Sequence, residues 1–234
     1  MWRWGAVMLG LLIGGPAQAD ITLATYDDPT TRYAHGVLGD AIEFGSLVIS
    51  HEKQGVRTVS RIILPDNRVF EDIAPRLLDV TGDGRPEVVV VETHVNRGAQ
   101  LAVYDETGKV AATPYIGTRN RWLAPIGAVD MDGDGRIEIG YIDRPHLAKT
   151  LRLWRYVEGE LFEIATQPGL TNHRIGEDTI AGGVRTCDGA PEMLTANANW
   201  TAMMATRMEN DTLISREIGT DTSRPAFARA LVCQ

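Results

Sequence analysis

The 234-residue sequence predicts an all-β fold, a small propeller of about four blades, each a four-stranded antiparallel sheet. Three observations predict it. An acidic segment recurs at intervals near 50 residues, a second landmark repeats with a similar step, and the apolar residues between them alternate or run continuously over short, turn-bounded stretches.

The acidic segment is Asp79-Val-Thr-Gly-Asp-Gly-Arg-Pro-Glu87, which returns as Asp130-Met-Asp-Gly-Asp-Gly-Arg-Ile-Glu138. A worn copy runs from Val184 to Glu192, and a fainter one from Gly39 to Glu43. Their central acids, Asp40, Asp83, Asp134 and Asp188, are 43, 51 and 54 residues apart. The polar turns farther along each unit, marked by Asn67, Gly108, Gly159 and Asp211, step by 41, 51 and 52. Agreement of the two ladders means that whole units repeat, with blades at about 32–74, 75–117, 118–170 and 171–219 and a tail at 220–234.

In the second unit the expected strands are Pro75 to Asp79, Glu87 to His94, Ala99 to Asp105 and Lys109 to Ile116. The third unit repeats them as Ile126 to Val129, Ile137 to Asp143, Thr150 to Val157 and Glu160 to Thr166. Period-two spacing places Leu151 and Leu153 on one face and Arg152, Trp154 and Tyr156 on the other. Helices are disfavoured, because Gly or Asn interrupts the chain every few residues.

The two acidic loops resemble the calcium loop of FG-GAP/VCBS repeat proteins, whose repeats also build the propeller of the integrin α-subunit head. The resemblance covers about residues 32–218 and is specific in the two loops. It implies blades whose first two strands are joined by a calcium-binding turn. The chemistry stands without the family, since calcium takes six to eight oxygens and alternate carboxylates on a glycine-rich loop converge on one point. Asp130, Asp132, Asp134 and Glu138 would supply side-chain oxygens, and Arg136 a carbonyl. The second loop offers Asp79, Asp83, Glu87, the hydroxyl of Thr81 and the carbonyl position of Arg85. Two structural Ca2+ ions are expected, the third unit binding more tightly because Thr81 stands where Asp132 is a carboxylate. Plain Asp-Gly turns are the alternative. An EF-hand fits less well, because Tyr141 occupies its twelfth position and a strand replaces the exiting helix.

The fourth loop has lost these ligands, and Cys187 lies within it. A bridge to Cys233 would tie the tail to the last blade; two free thiols are the alternative. The connections entering the units carry Arg32, Arg121 and Arg174, which could ring an anionic ligand at one end of the channel or else pair with nearby acids and aromatics.

The N-terminus reads as an address. Arg3 precedes an uncharged apolar run from Gly5 to Gly15, and Ala17-Gln-Ala19 suits a signal peptidase, so cleavage is expected after Ala19. The mature chain, 20–234, would carry no membrane span and would be periplasmic or secreted, where two cysteines oxidise. A net charge of -8 argues against nucleic acid, and two cysteines exclude a Cys-only zinc site. No nucleophile motif or paired-histidine metal motif is present. The expected function is a calcium-stabilised module that binds a protein or glycan, not an enzyme. The alternatives are a hydrolase-like enzyme using His35, His173 and Glu177 at the channel mouth, or a structural envelope protein.

Overall fold

The computed structural model describes residues 19–234. The expected leader, apart from Ala19, lies outside the described residues. Strands β1 (Asp20–Thr30), β2 (Glu43–Lys53), β3 (Val56–Ile63), β4 (Arg68–Phe70), β5 (Arg76–Leu78), β6 (Glu87–His94), β7 (Gly98–Tyr104) and β8 (Lys109–Ala112) form one eight-stranded sheet. A four-stranded sheet holds β9 (Leu123–Val129), β10 (Glu138–Asp143), β11 (Thr150–Val157) and β12 (Glu160–Pro168). The last sheet holds β13 (Leu170–Thr171), β14 (Gly183–Thr186), β15 (Pro191–Asn197), β16 (Met203–Glu209) and β17 (Thr212–Gly219), followed by helix α1 (Arg224–Leu231). Ser223 caps α1 by accepting from the Ala226 amide, with Pro225 in its first turn.

The chain is all-β with curled antiparallel sheets, yet among the described residues hydrogen bonding draws three sheets where four separate ones were expected. The cause is β4. After the turn at Pro65 to Asn67 this short strand pairs with β6 (Arg68↔His94, Phe70↔Glu92) and touches β2 at Phe44↔Phe70, so it joins the first two units. Strand β1 also starts at Asp20, ahead of residue 32, and pairs along β2 from Asp20↔Glu52 to Thr30↔Glu43.

The apolar clusters lie in series. Strand β6 is buried on both faces: Val88 and Val90 meet Leu47, Ile49 and Phe70, while Val89 and Val91 belong to a cluster with Leu123, Ile139 and Trp154 of the second sheet. Fully burying each such valine contributes roughly 1.5–3 kcal/mol. The alternation read for β11 is present, since Leu151 and Leu153 pack with Met193 and Leu213 of the third sheet while Trp154 and Tyr156 pack toward the first. The far face of the third sheet (Leu194, Ala196, Met203) is covered by Phe227 and Ala230 of α1. At the other end of the series Leu23, Val59 and Ile63 are 55%, 62% and 67% exposed. Among the described residues no apolar cluster joins β14–β17 to β1–β3.

Topology sorts the loops. Each acidic loop joins the first strands of a unit at one end of the sheets, and the connections entering the units meet at the other. There Asn120 donates its amide to Tyr33 Oη (2.8 Å), Trp122 Nε1 donates to the Glu71 carbonyl (2.8 Å), and the Gly176 amide donates to the Val37 carbonyl (3.1 Å).

Candidate functional site

The two acidic loops have closely matching internal bonds. Asp130 accepts the amides of Gly133 (2.7 Å) and Gly135 (2.9 Å), and Asp79 accepts those of Gly82 (2.7 Å) and Gly84 (2.9 Å). Glu138 reaches back to the Met131 amide and Glu87 to the Val80 amide, each at 2.8 Å. Asp134 accepts the amide of Arg136, and Asp83 that of Arg85. Curling this tightly needs positive φ, and Gly133 (80°) and Gly135 (85°) supply it without a Cβ clash.

The loops differ in what neutralises them. In the third unit, oxygens of Asp130, Asp132 and Glu138 lie within 4.8 Å of one another. Arg155 reaches two of these acids and Asp134: Nη2 to Asp132 at 2.7 Å, Nη1 to Asp134 at 3.1 Å and Nε to the fully buried Glu138 at 2.6 Å. Burial pushes the Glu138 carboxyl above its ordinary range despite the Met131 amide and Arg155. Burial works in the same direction on Asp132, but the hydrogen bond from Arg155 and the Asp134 amide outweigh it and hold that carboxyl down. In the second unit Glu87 is also raised by burial and takes the Thr81 hydroxyl (3.2 Å) and amide (3.3 Å). Arg85 pairs with Asp20 at 3.0 Å. Sequence reasoning missed Arg155, because it stands beside Glu138 through the β10–β11 register. A basic residue 17 positions after the loop glutamate carried no local signal.

The fourth loop is stapled. Cys187 and Cys233 form a disulfide with Cα atoms 5.6 Å apart, closing 46 residues, for which chain entropy gives about 4 kcal/mol. Glu192 is held by Arg185 (2.8 Å) and Arg216 (2.6 Å).

The three arginines at the opposite end have separate partners. Arg32 donates Nε to the Arg68 carbonyl (2.9 Å), Arg174 lies 3.7 Å over the Trp200 ring, and Arg121 lines a cavity of 270 Å³ with His35, Trp122, Arg144 and His146. Behind that cavity His35 Nδ1 meets Glu71 at 2.5 Å, and the other Glu71 oxygen accepts the Thr93 hydroxyl (2.6 Å). Burial raises the Glu71 carboxyl against both bonds. Buried Glu43 is pushed up to about 9 by desolvation first and by the Glu71, Asp40 and Asp72 carboxylates next. His173 Nε2 donates to the Glu177 carbonyl (2.9 Å), so its Nδ1 accepts from His146 Nε2 (3.0 Å). Burial, with His173 and His35 adding to it, lowers His146 to about 4 and keeps it neutral.

Comparison with known proteins places an FG-GAP-like repeat at residues 79–141, the segment holding both acidic loops. Comparison with curated protein sequences finds no match. Among solved structures the chain is similar to the rhamnogalacturonan lyase YesW (13% identity, TM-score 0.47, covering 87% of this chain and 49% of that one). It is also similar to the exotype rhamnogalacturonan lyase YesX (16%, 0.48, 87% and 48%) and to an exo-β-1,3-galactanase from Phanerochaete chrysosporium (10%, 0.44, 86% and 49%). The chain spans about half the length of these structures. Among the described residues no helix is long and apolar enough to cross a membrane.

Proposed function

We propose, from the FG-GAP-like repeat in residues 79–141, that this chain is an extracytoplasmic binding module of β-propeller type whose acidic loops hold structural calcium. The observation that carries the reading is the twin construction of the loops. Two segments 51 residues apart fold with the same amide-to-carboxylate bonds, and the more acidic one already gathers a cation in Arg155. The donor set suits calcium, being hard carboxylate oxygens converging within 4.8 Å at Asp130, Asp132 and Glu138. When bound, the ion would supply a cross-link between the loop and the start of β10. Asp134 and the Arg136 carbonyl would complete the third loop, and Asp79, Thr81, Asp83, the Arg85 carbonyl and Glu87 would form the weaker second site. Two ions would take the mature chain from -9 to about -5.

The disulfide supports an oxidising compartment, periplasm or exterior, reached through the leader at 1–19. The partner class is a protein or glycan, and the metal acts by holding the loops in shape.

Titrating the mature chain with calcium by calorimetry tests the metal, and no heat in millimolar calcium refutes it. Capture from the host envelope, with and without a chelator, tests the function. The expected result is a partner released on chelation, and an identical captured set in both conditions refutes a calcium-dependent module.

A further inference from the structure

The end of the sheets remote from the acidic loops carries the 270 Å³ cavity, whose walls belong to four connections: His35 to Val37, Asn120 to Trp122, Arg144 to Leu147, and the one that holds Ile175. Its chemistry is divided. Trp122, Pro145, the 63% exposed Leu147 and the 72% exposed Ile175 make its apolar lining. Arg121 and Arg144 both belong to its lining. Arg144 donates Nε (2.8 Å) and Nη2 (2.9 Å) to Asp143, which fixes its plane, and Arg121 donates Nη1 to the Asn120 carbonyl (2.8 Å).

His35 adds an oriented nitrogen. Its Nδ1 faces Glu71, whose side chain is fully buried and whose second oxygen is satisfied by Thr93. In the neutral ring a carboxylate at Nδ1 makes that nitrogen the donor and leaves Nε2 as the acceptor, and His35 is one of the residues that line the cavity. His146 is a neutral neighbour, its Nε2 proton committed to His173.

We propose that this cavity binds a small hydroxylated carboxylate with an apolar body. Arg121, assisted by Arg144, takes the carboxylate, His35 Nε2 accepts the ligand hydroxyl, and the body rests against Trp122 and Leu147. The proposal is independent of calcium in the acidic loops and goes beyond the binding-module reading. Guanidinium pairs with carboxylate through two parallel hydrogen bonds, and a pocket of mixed apolar and convergent polar walls is the usual setting for such ligands.

The test uses the mature chain, ligand-detected NMR, and three probes that share a phenyl group: mandelate, phenylacetate without the hydroxyl, and benzyl alcohol without the charge. Mandelate is expected to bind most tightly and to lose about tenfold in Arg121→Ala, the share of one charge-assisted contact. Glu71→Gln is expected to weaken mandelate about fivefold and leave phenylacetate unchanged, because only the hydroxyl reads the His35 tautomer. Since Glu71 is buried, the wild-type tautomer is also read directly by imidazole nitrogen shifts, with a proton expected on Nδ1 of His35. No mandelate signal at about 20 mM, where even weak millimolar binding is visible, overturns the proposal. So does binding that is indifferent to Arg121→Ala, or a proton on His35 Nε2.

Discussion

Arg155→Ala tests whether the calcium proposed for the third acidic loop shares carboxylates with the guanidinium already there. The guanidinium lies 2.6 Å from Glu138, 2.7 Å from Asp132 and 3.1 Å from Asp134, and Glu138 is wholly buried. Removing one partner of a buried ion pair leaves the other charge uncompensated and costs about 3–5 kcal/mol. Asp132 and Asp134 reach solvent, so the lower end, about 3 kcal/mol, is expected without metal. For a chain of this size that is a fall in Tm of about 6–12 °C. Calcium bound as proposed would replace the missing charge, so at about 5 mM calcium the deficit is expected to shrink to about 1 kcal/mol. Linkage then requires the variant to bind calcium more tightly than the parent by the difference, about 2 kcal/mol or thirtyfold. Arg155→Lys, which keeps the charge without the planar fork, falls between the two. Thermal unfolding of the three proteins in chelator and in calcium measures all of these quantities. An equal Tm deficit in both conditions refutes the idea that metal and arginine compete for the same carboxylates.

Glu43→Gln is expected to act through pH. Its folded carboxyl titrates near 9 against an ordinary 4.5, so the native state keeps a proton that the unfolded chain loses, and stability falls as pH rises between those values by about 1.4 kcal/mol per unit. The variant should match the parent near pH 4.5 and exceed it by about 3 kcal/mol at pH 7 in urea unfolding, and a pH-independent difference refutes the assignment. Gly182→Ala and Gly140→Ala form a contrast. A Cβ on Gly182, at φ 85°, would lie 1.9 Å from the Leu194 carbonyl oxygen, whereas one on Gly140 meets the Met193 sulfur at 2.3 Å. Backbone cannot yield as a methionine tip can, so Gly140→Ala should cost about 1–3 kcal/mol and Gly182→Ala more, with the reverse order counting against the packing described.

Much of the second and third units was legible because their signal is local. Strands β6 and β10 start at or beside the expected residues, and Val88 to Val91 alternate between two apolar clusters as a doubly buried strand must. The staple between Cys187 and Cys233 was likewise open to reading, since few cysteines leave few pairings. The union of the first two units through β4 was not, because one three-residue strand makes it with modest pairing on each side. The arginines at the far end illustrate the same limit. Arg32, Arg121 and Arg174 recur at similar places in the units, yet each bonds to whatever backbone or ring its own connection passes.

Sequence by itself determined the β class, the repeat near 50 residues, the two glycine-rich acidic loops and the disulfide, for these depend on period, on φ at single residues and on few possible partners. Tertiary structure decided what stands opposite each of them. The β10–β11 register sets Arg155 against the third loop, crossing connections set His35 against Glu71 and beside Arg121, and α1 covers the third sheet while Leu23, Val59 and Ile63 stay open. Charge and hydrogen bonding act over a few ångströms of space, whatever the distance along the chain, so the partner of a carboxylate is known only once the sheets are in register.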